Sequence, residues 1–195
     1  TNVTHGYRNY WNERLLDMLN RLQERLYALH IPLRLYAGQE IYLTDNVLSL
    51  LREDRLISLN RSRYILSEFS FRESPARMTE LLKPLLAAGY IPVIAHAERY
   101  RCFFTAPERC EEMQEIGALI QLNADSVLGK EGWGISRFCK KVLKNQWVDV
   151  IASDAHNMED RANHLGECRA YVVKKYGHEY ADDLFNKNPL KMIHH

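Results

Sequence analysis

Apolar positions recur at helical spacing across residues 10–30, where Leu15, Leu19, Leu22, Leu26 and Leu29 fall at alternating steps of four and three. Glu13, Arg14, Asp17, Arg21, Glu24 and Arg25 fill the intervening positions, and Pro32 stops the pattern. The pattern then shortens. Leu33–Ala37 reads as a strand, followed by a Gly38-Gln39-Glu40 turn that ends in a carboxylate. Thr44 or Asp45 is placed to cap a short helix running to about Arg52, and Tyr64–Leu66 reads as a short buried strand. Ser74-Pro75 opens a further helix, with proline where its missing N–H costs least, and Pro84 predicts a kink or break within it. Tyr90–Ala95 reads as a strand. A helix from Thr105-Ala106-Pro107-Glu108 to near Gly117 comes next, then a strand over Ala118–Leu122. A helix within about Ser136–Asn145, a strand over Trp147–Ala152 and helices over 160–176 and 179–186 complete the chain. This alternation predicts an α/β domain with a mostly parallel sheet, closed or nearly closed into a barrel.

Composition changes this picture little. The 195 residues suit one domain with a real core, and 46% hydrophobic with 26% charged residues is ordinary for a soluble protein. The net charge of +1 gives no overall field toward nucleic acid, and no apolar stretch approaches a membrane span. No signal-peptide pattern opens the sequence. Cys102, Cys110, Cys139 and Cys168 form no Cys-x-x-Cys pair and are expected as reduced thiols in a cytosolic protein. The phosphatase loop of Cys, five residues and Arg is absent, since Cys102 is followed by Phe103 to Pro107 and then Glu108.

The candidate chemistry lies where the strands end. In parallel α/β barrels the side chains just past the strand C-termini face the active site. Glu40, Glu68, His96, Asp154 and His156 all take such positions. Singly, each reads as easily as a cap, an ion-pair partner or a hydrogen-bonded structural histidine. If the backbone is extended over Asp154-Ala155-His156, those two side chains share a face and can grip a metal together. The full set mixes carboxylate and imidazole, which suits Mn²⁺, Fe or Zn²⁺ better than Mg²⁺. Arg99 and Arg161 follow candidate ligands closely, and a guanidinium fork fits phosphate oxygens. His164 and His178 fall on predicted helices and read as surface residues.

Gly38-Gln39-Glu40, Glu68-Phe69, His96-Ala97-Glu98-Arg99 and Ser153-Asp154-Ala155-His156, with Arg161 downstream, resemble the polymerase-and-histidinol-phosphatase (PHP) superfamily. Within it they are most similar to bacterial manganese-dependent protein-tyrosine phosphatases of capsule and exopolysaccharide biosynthesis. The resemblance runs from about Tyr10 to about Pro189. It implies a distorted (β/α)7 TIM-like barrel as one metallophosphatase domain over 1–195, with up to three metal ions, Mn²⁺ foremost. Glu40, Glu68, His96, Asp154 and His156 would be ligands, and Arg99 and Arg161 would hold substrate phosphate. The implied reaction is attack of activated hydroxide on phosphotyrosine in the tail of a partner bacterial tyrosine kinase.

The sequence also departs from the pattern. Family members open with a His-x-His strand and an Asp-Asp-Gly segment, and this chain has no His-x-His. His5 can stand for a histidine at the end of the second strand, as a sixth metal candidate. The expectation is therefore a barrel lacking its first two strands, with open edges that favour self-association. A sequence cut short, a part supplied by a separate chain and a natural remnant that has lost catalysis all fit this, the first being the one expected. Two other functions stay open: a PHP phosphoesterase for a small molecule such as histidinol phosphate, and an inactive barrel that binds a polysaccharide-assembly partner.

Overall fold

A computed structural model describes Trp11, residues 13–159 and residues 161–194. The elements run α1 (Glu13–Ala28), β1 (Glu40–Tyr42), α2 (Val47–Arg52), β2 (Tyr64–Glu68), α3 (Pro75–Ala87) and β3 (Ile91–Ile94). They continue with α4 (Arg101–Thr105), α5 (Arg109–Glu115), β4 (Leu119–Asn123), α6 (Ala124–Leu128), α7 (Trp133–Lys144) and β5 (Val150–Ala152). The chain closes with α8 (Leu165–Tyr176), α9 (His178–Asp182), a π turn (Asp183–Lys187) and α10 (Asn188–Ile193). The five strands form one all-parallel sheet whose order is the chain order, β1 to β5. Each strand is followed by helical structure, so the chain winds in one sense without the reversal of a doubly wound sheet. Within this sheet β1 pairs only with β2, and β5 only with β4.

The sheet has two unequal cores, which follow from alternation along the strands. Ile41, Ile65, Ile94, Ile120, Leu122 and Ile151 point outward into the layer of helices, against Met78, Leu82, Phe103, Phe138 and Val172. The other face is filled by Val93 and Val150 with Tyr64, Leu66 and Leu119, and Met192 of α10 closes it from below. Ser62 Oγ and Asn60 Nδ2 donate to the carbonyls of Met192 and Ile193 and pin α10 there. This inner face is the floor on which the polar residues of the site stand.

Several expectations change. The Leu33–Ala37 run is not a strand, and Glu40 begins β1 instead of following a strand. The backbone of that run bonds a side chain instead: Gln23 donates to the Leu33 carbonyl and accepts from the Leu35 N–H. The first turn of α2 is capped at Asn46 without a side-chain bond, while Thr44 Oγ1 donates to Asn46 Oδ1. Ser74 Oγ accepts from Arg77 N at the start of α3, as predicted, but α3 runs through Pro84. Pro84 is exposed, so the carbonyl it leaves unpaired faces water. The sequence pattern also passed over α4 and α6, each five residues long. The amphipathic α1 buries none of its residues. No helix among the described residues is long and apolar enough to cross a membrane.

Candidate metal centre and anion pocket

Three of the predicted ligands meet. Glu40, Glu68 and His96 offer ligand atoms that all lie within 4.8 Å of one another. His96 Nε2 sits 2.8 Å from Glu40 Oε1 and 3.7 Å from Glu68 Oε1. The parallel register sets this up, because Glu40 lies beside Leu66, and Leu66 and Glu68 share a face of β2. His96 comes two residues past β3, in a left-handed conformation with φ of 36°. A non-glycine residue holds that conformation only when its surroundings fix it. Here Gln121 Oε1 accepts from His96 N at 2.6 Å, and the rings of Phe71 and Tyr100 flank the imidazole. Tyr100 is itself fully buried and accepts from Phe69 N.

The charges in this cluster push one another apart. The His96 hydrogen bond draws the Glu40 carboxyl below its ordinary range, against the effect of burial. Burial, and then the charge of Glu40, raises Glu68. Burial pulls His96 down, but the bond to Glu40 and its charge outweigh this and leave the imidazole raised. Among the described residues, His96 Nδ1 is buried without a hydrogen-bond partner. Two carboxylates and an imidazole crowded together at partial burial fit a divalent cation. A cation would satisfy both acids at once, in place of the single imidazole nitrogen they now face.

The other candidates gather beside this cluster. Asp154 is two residues past β5, also left-handed with φ of 50°. Its Oδ2 accepts from Arg161 Nη2 at 2.6 Å and from Asn123 Nδ2 at 3.0 Å, and Arg99 Nη2 lies 3.7 Å away. The loop after His156 folds back, with His156 N and Asn157 N both donating to the Arg161 carbonyl, which brings Arg161 beside Asp154. Arg99 also binds Glu131 Oε1 at 3.1 Å. Its charge acts on Glu40, Glu68 and His96, so the arginine pair and the carboxylate cluster adjoin. Arg99, Lys130, Asp154, Arg161 and His164 line one cavity of about 310 Å³.

The extended backbone expected over Asp154-Ala155-His156 is not there. The strand ends at Ala152, and the left-handed Asp154 breaks the two-residue repeat. His156 is largely exposed, and its Nδ1 lies 2.8 Å from the Asp154 carbonyl oxygen. His5 lies outside the described residues. His164 is not a surface residue on a helix: it caps α8, is 30% exposed in its side chain and faces the cavity.

The strand between the two halves was expected over Ala118–Leu122, but the polar side chains it carries were not singled out. β4 supplies no ligand candidate, yet Gln121 and Asn123, two apart on its inner face, join the halves. Gln121 accepts from His96 N and donates to Asn123 Oδ1, and Asn123 donates to Asp154. Amides alternating with Leu and Ile on an otherwise apolar strand were the available signal. Glu98 was also passed over. It is buried, its Oε1 accepts from Asn123 N, and burial pushes its pKa up to about 7. Ser126 Oγ lies 2.8 Å from Glu98 Oε1 and 2.7 Å from Glu131 Oε2. One hydroxyl has one proton to give, so Ser126 donates to only one of these carboxyls at a time.

Residues 3–194 match the family described as "Capsular polysaccharide synthesis, CpsB/CapC". The chain is 35% identical over 163 residues to the tyrosine-protein phosphatase YwqE of Bacillus subtilis, covering 84% of this chain and 64% of that protein. It is 35% identical over 159 residues to the putative tyrosine-protein phosphatase CapC of Staphylococcus aureus, covering 80% and 62%. With the tyrosine-protein phosphatase CpsB of Streptococcus pneumoniae it shares 36% identity over 161 residues, covering 80% and 66%. A solved chain from the crystal structures of YwqE and CpsB, described there as unique metal-dependent tyrosine phosphatases, superposes with a TM-score of 0.79 at 34% identity. That superposition covers 85% of this chain and 67% of the solved one. The chain thus spans slightly under two thirds of the length of these relatives.

Proposed function

The chain belongs to the CpsB/CapC family of capsular polysaccharide synthesis, and on that footing we propose that it is a metal-dependent phosphotyrosine phosphatase. The observation that carries this reading is the adjacency of two sites: a Glu40–Glu68–His96 cluster suited to a metal, and a cavity with Arg99 and Arg161 suited to an anion. Within it, Glu40, Glu68 and His96 hold the metal, with Asp154 and His156 as further ligands and His5 as a candidate from the undescribed segment. Mn²⁺ is the ion proposed first, with Fe or Zn²⁺ as substitutes, up to three in a complete site. When bound, the metal supplies Lewis-acid polarisation of the phosphoryl group and lowers the pKa of an attacking water.

The rest falls to side chains. Each guanidinium has five donors, of which Asp154 and Glu131 engage only some, so Arg99 and Arg161 retain N–H groups for phosphate oxygens. Their anchors fix where the phosphate rests before reaction, which lowers the entropy lost in reaching the transition state. Buried Gln121 and Asn123 hold the two halves in one register. The fold proposed for the whole protein is the distorted (β/α)7 barrel, of which the five parallel strands are part. The substrate proposed is the phosphorylated tail of a bacterial tyrosine kinase that regulates capsule or exopolysaccharide synthesis, in the cytoplasm.

The test is turnover of a phosphotyrosine peptide against histidinol phosphate with added Mn²⁺. The reading predicts preference for the peptide. A preference for the small molecule of about 100-fold, about 2.7 kcal/mol of transition-state stabilisation, contradicts it.

A further inference from the structure

The cavity that Arg99 and Asp154 line also holds a pair that neither the metal cluster nor the arginine pair uses. His164 Nδ1 lies 2.8 Å from Asp125 Oδ1. Both atoms are shut off from solvent and neither has an aligned hydrogen bond among the described residues, so the 2.8 Å approach is a close ion-pair contact between them. Asp125 is the second residue of α6, which follows directly from β4. His164 ends the loop that carries Asp154 and Arg161. Two separate strand-end loops thus build one carboxylate–imidazole dyad on the cavity wall. A carboxylate this close to Nδ1 favours a proton there and leaves Nε2 as the ring nitrogen for a ligand in the cavity that His164 lines.

We propose that His164, oriented by Asp125, donates the proton to the leaving phenolic oxygen of the phosphotyrosine substrate. This rests on the phosphatase reading above. Tyrosine is a poor leaving group as its anion, because the phenol holds its proton to about pH 10. In the balanced step the oxygen of an attacking water forms the new P–O bond while the ester P–O bond breaks. The phenolic oxygen takes the Nε2 proton, and the proton lost by the water passes to solvent, from which the imidazole is reprotonated. The other cavity groups suit the role less well. Arg99, Arg161 and Lys130 hold their protons too tightly. The carboxylates of Asp154 and Glu131 are each engaged by an arginine. Lys130 reaches both Asp125 at 3.7 Å and Glu167 at 3.4 Å, which keeps Asp125 in a cationic setting without displacing His164. Cys168, one turn into α8, is buried with its thiol pushed up to about 12, so it stays neutral and does not compete for the imidazolium.

The experiment compares two esters on the whole 195-residue chain with added Mn²⁺. Phenyl phosphate needs a proton on its leaving oxygen, whereas 2,4-dinitrophenyl phosphate expels a stable anion. His164→Gln is expected to lose about a hundredfold or more on phenyl phosphate, within the usual range for a general acid, and to stay within about threefold on the dinitrophenyl ester. Asp125→Asn should show the same split to a smaller degree, and Asp125→Glu should recover part of it. Equal losses on both esters, or none on either, overturn the assignment and leave His164 a structural cap of α8. A wild-type chain that hydrolyses neither ester overturns the phosphatase reading itself, and the acid role with it.

Discussion

At the scale of single residues, burial decides what each acid can do. Glu98 is 2% exposed and its pKa is pushed up to about 7, above the value of a carboxyl in the unfolded chain. Between about pH 4.5 and pH 7 the folded state therefore holds a proton that the unfolded state has released, and stability falls as pH rises through that window. The contribution lost is on the order of 3 kcal/mol, at 1.36 kcal/mol per pKa unit. Glu98→Gln keeps an acceptor for Asn123 N and Ser126 Oγ, so urea unfolding across that pH range should show a flatter decline in the variant. Asp154 makes the complementary case. Asn123→Ala removes the neutral donor at 3.0 Å from its Oδ2 and leaves Gln121 Nε2 without its acceptor. The expected cost is about 1–3 kcal/mol by thermal or chemical unfolding. Asn123→Asp should cost more, since it sets a second negative charge against Asp154. These residues were hard to read from sequence, because their roles come from partners 25 to 31 positions away.

At the scale of elements, the helical periodicity of α1, the Ser74-Pro75 start of α3 and the apolar runs of β2, β3 and β4 were legible in the sequence, since each carries its own local signal. The start of β1 was not. Leu33–Ala37 is as apolar as a strand, but its Leu33 carbonyl and Leu35 N–H bond to Gln23 of α1, and only the pairing with β2 reveals which residues are the strand. The turn at Asp154 was hidden for another reason: non-glycine residues seldom take positive φ, and no local pattern announces one that does. His96 and Asp154 were legible because they follow apolar strand runs, and Glu68 because it ends one, whereas Glu40 opens β1. Their division into a tight Glu40–Glu68–His96 cluster and an Asp154–arginine group was not, as it depends on β4 lying between β3 and β5. One consequence concerns the outer core, where Ile120 is fully buried at the centre of β4. Ile120→Ala should cost about 2–5 kcal/mol in unfolding experiments and weaken metal binding by loosening Gln121 and Asn123 on the opposite face.

At the scale of the whole molecule, the sheet and its helices bury one large core, to which α1 contributes no buried residue. That helix leaves Leu15, Leu16, Met18 and Leu22 between 41% and 56% exposed. A continuous apolar stripe of this kind is a site for association. Replacing Leu15 and Leu22 together by Glu should reduce retention on a hydrophobic column and self-association in sedimentation. Unfolding free energy should change by under about 0.5 kcal/mol, the usual range for surface positions. The remainder of the molecule is organised around the polar layer above the inner core, where one cluster fits a metal and its neighbour fits a phosphate. The most direct measurement is phosphate release from a phosphotyrosine peptide as Mn²⁺ is titrated into the wild-type chain and into His96→Ala. Saturable, metal-dependent release is predicted for the wild type, with a loss of about 100-fold or more in a variant whose circular dichroism is unchanged. A His96→Ala chain within about threefold of wild type, under about 0.7 kcal/mol, would contradict the metal centre proposed for Glu40, Glu68 and His96.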